Sequence, residues 1–227
     1  MMPKNNHLYF LLLLLSLSFT LFAKDSMQLA RVQYDGGGDW YNDPEILPNL
    51  AAYANKNIYT DFSLKDKNIK LSDKRLYEYP FLFITGHGNI KFSADEVLAL
   101  RKHLENGALL FADDDYGMDE SFRREIKRVF PDKSFVELPT NHPIYNCYFK
   151  FPKGLPKTHE HDLGRPQLFA LYSNDGRIMI LYTFESNISD GWADYSTHND
   201  HKEVKEEALR FGSNILYYYL NGGNINE

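Results

Sequence analysis

Phe81-Leu82-Phe83-Ile84-Thr85-Gly86-His87-Gly88-Asn89, followed by Ser93-Ala94-Asp95-Glu96 and then Ala108-Leu109-Leu110-Phe111-Ala112-Asp113-Asp114-Asp115, decides the fold. The first apolar run is unbroken and bounded by Pro80 and Gly86, which predicts a strand buried on both faces. Ser93 and Glu96 have capping-box spacing, Val97, Leu98, Leu100 and Leu104 supply one apolar stripe, and Gly107 suits the position after a helix. Ala108–Ala112 reads as a second buried strand. Two buried strands joined by a helix need a crossover, so they pair in parallel and require cover on both faces.

The pattern extends in both directions. Gln28–Tyr34 is a β-prone run ended by Gly36-Gly37-Gly38, and Leu47–Asn57 is helix-like. Asp119–Phe130 is amphipathic and stops at Pro131; Phe135–Leu138 and Ile178–Phe184 read as later strands. Asp200-His201-Lys202-Glu203 is expected to cap a last helix running to about Leu220. The whole predicts an α/β fold, a three-layer sandwich with a mainly parallel sheet. Between Leu138 and Gln167 the pattern lapses into Pro, Gly and polar residues, which makes that stretch a candidate lid or site wall.

The N-terminus has a different composition. Lys4 precedes an apolar run from Leu8 to Phe22, ended by Ala23-Lys24-Asp25-Ser26. That order predicts a secretory signal peptide over residues 1–23 and a single α/β domain over 24–227. The run is shorter than the roughly 20 residues needed to span a bilayer. Export implies a periplasmic or secreted protein; Leu21 at the −3 position leaves an uncleaved membrane-held N-terminus as the alternative. No second long apolar segment follows, so no membrane span is expected after cleavage. Loss of one lysine and no acid shifts the net charge from −6 to −7. That acidity argues against nucleic acid, whose phosphates need clustered Lys and Arg. Cys147 is the sole cysteine and forms no internal disulfide.

In open α/β sheets ligands bind beyond the carboxyl ends of the strands. Four such ends lead into polar, glycine-containing turns: Asp35–Trp40, Gly86–Asn89, Asp113–Gly117, and Glu185 with Ser189–Trp192. Gly37 and Gly38 either let backbone approach a ligand or form a plain turn, and Asp39 and Trp40 follow them. His87 between Gly86 and Gly88, with Asn89 next, is a candidate proton acceptor or metal ligand. Asp113 and Asp114, with Asp115, crowd carboxylates that need Arg123, Arg124, a proton or a divalent cation for relief. His159 and His161 share one face of an extended segment, so the metal candidates are Asp113, Asp114, His159 and His161. Trp192, His198, Asn199 and Asp200 add further polar or stacking groups. There is no Walker loop and no G-x-G-x-x-G fingerprint, so no nucleotide cofactor is expected. No G-x-S-x-G occurs either.

These motifs resemble a bacterial family, the domain of unknown function 4159. The matching residues are Arg31–Tyr34 with Gly37–Tyr41, Thr85–Gly88, Leu109–Asp114, Ser121–Glu125, His142-Pro143, His159–His161, Asp190–Trp192 and His198–Asp200, and they cover nearly all of 28–220. The resemblance implies a flavodoxin-like sandwich of the class I glutamine amidotransferase-like group. In that group a nucleophile elbow occupies the place held here by Asp113–Asp115. Asp replaces the elbow Cys, so ammonia transfer from glutamine is not implied. Two functions remain open: a hydrolase-like enzyme working through His87, Asp113 and Asp114, and a ligand-binding or envelope-assembly module using the same face. The module would use that face to hold a small polar molecule or glycan, or a partner, without turnover.

Overall fold

The capping box read from the sequence forms. Ser93 Oγ accepts from the Glu96 N–H at 3.2 Å, and the Glu96 carboxylate accepts from the Ser93 N–H at 2.9 Å. The structure is a computed structural model that describes residues 26–159 and 163–223. The expected signal segment, together with His161, lies outside those residues.

Strands β1 (Ala30–Gln33), β2 (Lys67–Lys70), β3 (Phe81–Ile84), β4 (Leu109–Asp113), β5 (Val136–Glu137), β6 (Gln167–Tyr172) and β7 (Ile178–Phe184) form one seven-stranded sheet in the order β2-β1-β3-β4-β7-β6-β5. The first five strands in that order are parallel, with Phe81 opposite Leu109 and Leu110 opposite Ile180. Renumbered among themselves they run 2-1-3-4-5, the flavodoxin-like order. β6 and β5 are antiparallel additions at one edge.

The helices are α1 (Ile46–Asn57), α2 (Ala94–Glu105), α3 (Asp119–Val129), α4 (Tyr195–His198) and α5 (Lys202–Leu220). Successive strand side chains alternate between faces. Phe81, Phe83 and Phe111 pack under α1 and α5, while Leu82, Ile84, Leu110 and Tyr182 pack under α2 and α3. The result is the expected three-layer sandwich.

Two strands escape the sequence pattern. β2 is Lys-Asn-Ile-Lys, an edge strand in which only Ile69 is buried, so it carries no apolar run. β6 follows the irregular stretch and pairs with β7 through a tight turn closed by Ser173 and Arg177. The last helix also differs from expectation at its start. His201 occupies the capping position without a side-chain cap bond, and the Asp200 carboxylate turns away to His159. Among the described residues no helix is long and apolar enough to cross a membrane.

Candidate functional site

Because β1, β3, β4 and β7 are sheet neighbours, their carboxyl ends and the four marked turns meet along one edge. The crossover from β1 leads to α1 on one face and that from β3 to α2 on the other. The sheet therefore opens between β1 and β3, at a topological switch point.

The first two turns are zipped together there. Gly38 N–H donates to Asn89 O at 3.1 Å, Asp39 N–H to His87 O at 3.4 Å, and Lys91 N–H to Asp35 O at 2.7 Å. Glycine is needed for this approach. A Cβ on Gly86, at φ +132°, would lie 2.4 Å from Tyr34 Oη, and one on Gly38 would lie 2.7 Å from His87 O. Gly37 and Gly88 stand exposed on the same rim, beside Trp40, whose ring meets Tyr41 edge-on.

This packing presents His87. Its backbone N–H donates to Asp39 Oδ1, and its Nδ1 lies 3.0 Å from Asp39 Oδ2 and 3.5 Å from Asp115 Oδ2. The imidazole is half exposed, and no described residue hydrogen-bonds its Nε2. Burial alone would raise the Asp39 carboxyl, but hydrogen bonds from the His87 backbone and ring outweigh it and hold Asp39 below its ordinary value. An ionised Asp39 fixes the ring with Nδ1 as donor, which leaves Nε2 as a proton acceptor facing solvent.

The three consecutive aspartates do three different things. Asp113 is fully buried: Oδ1 accepts from Thr183 Oγ1 at 2.6 Å, and Oδ2 accepts from the Ser189 N–H at 2.7 Å and Ser189 Oγ at 2.6 Å. It ties β4 to the turn after β7. Asp114 Oδ1 accepts from the N–H groups of Tyr116 and Met118 at 3.2 and 2.9 Å, shaping the entry to α3. Asp115 points into the trough, accepting from the side-chain amides of Asn42 and Asn187. Burial, then the charges of Asp190 and Asp113, push the Asp115 carboxyl far up.

Beyond Asp115 lies a second cluster. His159 Nδ1 is 2.7 Å from Asp190 Oδ2 and its Nε2 is 2.6 Å from Asp200 Oδ1; His198 Nε2 is 2.8 Å from Asp43 Oδ2. The hydrogen bond to Asp190 is the main reason His159 is pushed up to about 9. The two imidazoles stand 5.1 Å apart, centroid to centroid.

The remaining expected residues sit elsewhere. Arg123 makes its ion pair with Asp119, and its guanidinium lies over the Phe135, Phe169 and Tyr182 rings; Arg124 pairs with Glu125 and reaches Asn89 Oδ1. Neither forms an ion pair with Asp113, Asp114 or Asp115. Trp192 is core: it packs between Phe83 and Phe111 and donates to Ala208 O at 2.9 Å. Residues the sequence reading left aside are Asp43, Asn42 and Asn187. Asp115 and Asp190 stood within marked turns and His198 and Asp200 among the further candidates, but side-chain direction is not legible in a turn. A cavity of about 650 Å³ lies at the opposite end of the sheet, lined by Leu109, Ile178, Tyr218 and Tyr219 among others. It holds no histidine, so concavity and acid–base chemistry part company in this protein. The chemistry and the switch point mark the strand-end trough as the site.

A family profile described as a domain of unknown function (DUF4159) matches residues 28–220. Among curated proteins none matches the chain.

Proposed function

The chain belongs to the domain of unknown function (DUF4159) family, and we propose that it is an exported, hydrolase-like enzyme whose reaction centre is the His87–Asp39 dyad. The observation that carries this reading is a half-exposed imidazole, fixed through Nδ1 by Asp39 with Nε2 unengaged, at the switch point of a parallel sheet. In this reaction Nε2 accepts a proton from a water whose oxygen attacks an electrophilic centre. The same proton passes to the leaving group as its bond breaks. Asp39 holds the ring and offsets the imidazolium charge. Asp115, 3.5 Å from His87 Nδ1, lines the trough beside the dyad. The substrate class is a small polar molecule or a glycan fragment. That choice is supported by the polar lining and by an acidic surface unsuited to nucleic acid.

Export to the periplasm or the medium is part of this proposal. It rests on the basic, apolar and small-residue order of residues 1–26.

The test is a panel of chromogenic esters, phosphoesters and glycosides assayed with the wild type and with His87→Ala and Asp39→Asn. General acid–base catalysis contributes about 10²–10⁴-fold, so His87→Ala should lose that factor on whichever class turns over. No turnover on any class, with ligand-induced melting shifts that vanish in His87→Ala, would favour a binding module on the same face.

A further inference from the structure

We propose that His159, Asp190 and His198 bind one divalent transition-metal cation of the zinc class, next to the His87 dyad. Three separate segments supply these residues: the end of the irregular stretch, the turn after β7, and α4. One ligand atom from each lies within 4.8 Å of the others. Ligands bonded to a common tetrahedral ion at about 2.0–2.2 Å stand about 3.3–3.6 Å apart, so closure requires shifts of up to roughly 0.7 Å per side chain.

The surroundings of the two histidines support the assignment. Each has a carboxylate at Nε2: Asp200 at 2.6 Å from His159, and Asp43 at 2.8 Å from His198. That is the carboxylate–histidine arrangement which orients a ring and leaves its other nitrogen for a metal. His159 Nδ1 and Asp190 Oδ2 are hydrogen-bonded at 2.7 Å; a shared tetrahedral ion would replace that bond and move the two atoms to about 3.3 Å apart.

A second, independent observation points to a missing cation. Asp200 Oδ2 is buried without a hydrogen-bond partner, on a side chain only 9% exposed. A buried carboxylate oxygen without a donor is costly, whereas a metal on the neighbouring imidazole compensates it. No lysine or arginine among the described residues forms an ion pair with Asp43, Asp115, Asp190 or Asp200. The mixed nitrogen and oxygen donors fit Zn²⁺ better than Mg²⁺ or Ca²⁺, which prefer oxygen alone. The cluster reaches the dyad through Asp115, which contacts both Asp190 and His87.

The experiment titrates the purified full chain, stripped with chelator, with Zn²⁺ alone by calorimetry, and repeats it with Mg²⁺ and with Ca²⁺. The expected result is one equivalent of Zn²⁺, bound more tightly than either alkaline-earth ion. At a hundredfold excess over Kd it should raise the melting temperature by roughly 5–10 °C. His198→Ala and Asp190→Asn should each weaken binding at least a hundredfold, and Asp200→Asn about 10–100-fold. His198 lies on a short, partly exposed helix, so its variant should keep the metal-free melting temperature and decides the matter if Asp190→Asn fails to fold. His87→Ala should bind Zn²⁺ like the wild type. A metal-binding chain with a functionally silent His87 would therefore sink the enzymatic reading alone. Absence of Zn²⁺ binding, binding unchanged in His198→Ala, or equal affinity for Ca²⁺ would overturn the site.

Discussion

Asp113→Ala is the perturbation whose outcome the structure specifies most fully. The carboxylate is completely buried and accepts from Thr183 Oγ1, Ser189 N–H and Ser189 Oγ. Truncation orphans the Ser189 N–H inside the turn, at about 1–3 kcal/mol for a buried unsatisfied donor. The two hydroxyls lose less, since Thr183 Oγ1 also reaches Ala112 O at 3.2 Å. The total at neutral pH is about 3 kcal/mol, which lowers the melting temperature by roughly 6–12 °C in a domain of this size. The loss also depends on pH. Burial, opposed by the bonds from Ser189 and Thr183, pushes Asp113 up to about 6 from 3.8. Its folded-state pKa lies above the unfolded value, so the native state holds the extra proton in that window. Wild-type stability from this group is complete below about pH 4 and is lost as pH rises through 6, by about 3 kcal/mol in all. The variant lacks that slope. Urea denaturation at pH 5 and pH 8 should therefore show a gap between wild type and variant wider at pH 5 by about 1 kcal/mol. A variant as stable as the wild type, or a gap wider at pH 8, would refute the reasoning.

Other positions give sharper structural outcomes. Gly86→Ala places a Cβ 2.4 Å from Tyr34 Oη at φ +132° and should cost about 2–4 kcal/mol; unchanged urea denaturation would contradict it. Trp192→Ala removes a side chain 1% exposed that spans the Phe83 and Phe111 rings. It should lower stability by about 3–5 kcal/mol, visible by thermal denaturation without any ligand. His103 is lowered by burial, against the opposing hydrogen bond to Tyr79 O. The native state thus prefers it neutral, and stability is lost as pH falls below its ordinary 6.5. His103→Gln should flatten the acid limb of a stability–pH curve, and an unaltered limb would exclude this contribution.

The central part of the fold was legible because its signals are local. Phe81–Ile84 and Leu109–Asp113 are apolar runs, and Ser93 and Glu96 form their own cap three residues apart. β2 was hidden because an edge strand needs one buried residue, Ile69, and offers polar side chains elsewhere. β6 was hidden behind a long irregular approach. At the site, the sequence marked the four turns but not the directions of their side chains. Three adjacent aspartates look equivalent in a string. In the structure Asp113 faces Ser189, Asp114 faces the backbone entering α3, and Asp115 faces the trough. Asp43 and Asp200 come from segments far apart in the chain and meet the two histidines only through tertiary packing. Trp192, an aromatic beside marked polar residues, suited a ligand platform by sequence. Its ring turns inward because two phenylalanines of the sheet and a helix carbonyl receive it.

The most direct test of the account compares His87→Ala with Asp113→Ala for turnover and melting temperature in the same preparations. A working dyad on a rigid scaffold predicts that the two properties separate. His87→Ala should lose about 10²–10⁴-fold in turnover with its melting temperature within a few degrees of wild type, while Asp113→Ala loses roughly 6–12 °C. Full turnover in His87→Ala, or a stability loss there matching that of Asp113→Ala, would contradict the assignment of the reaction centre.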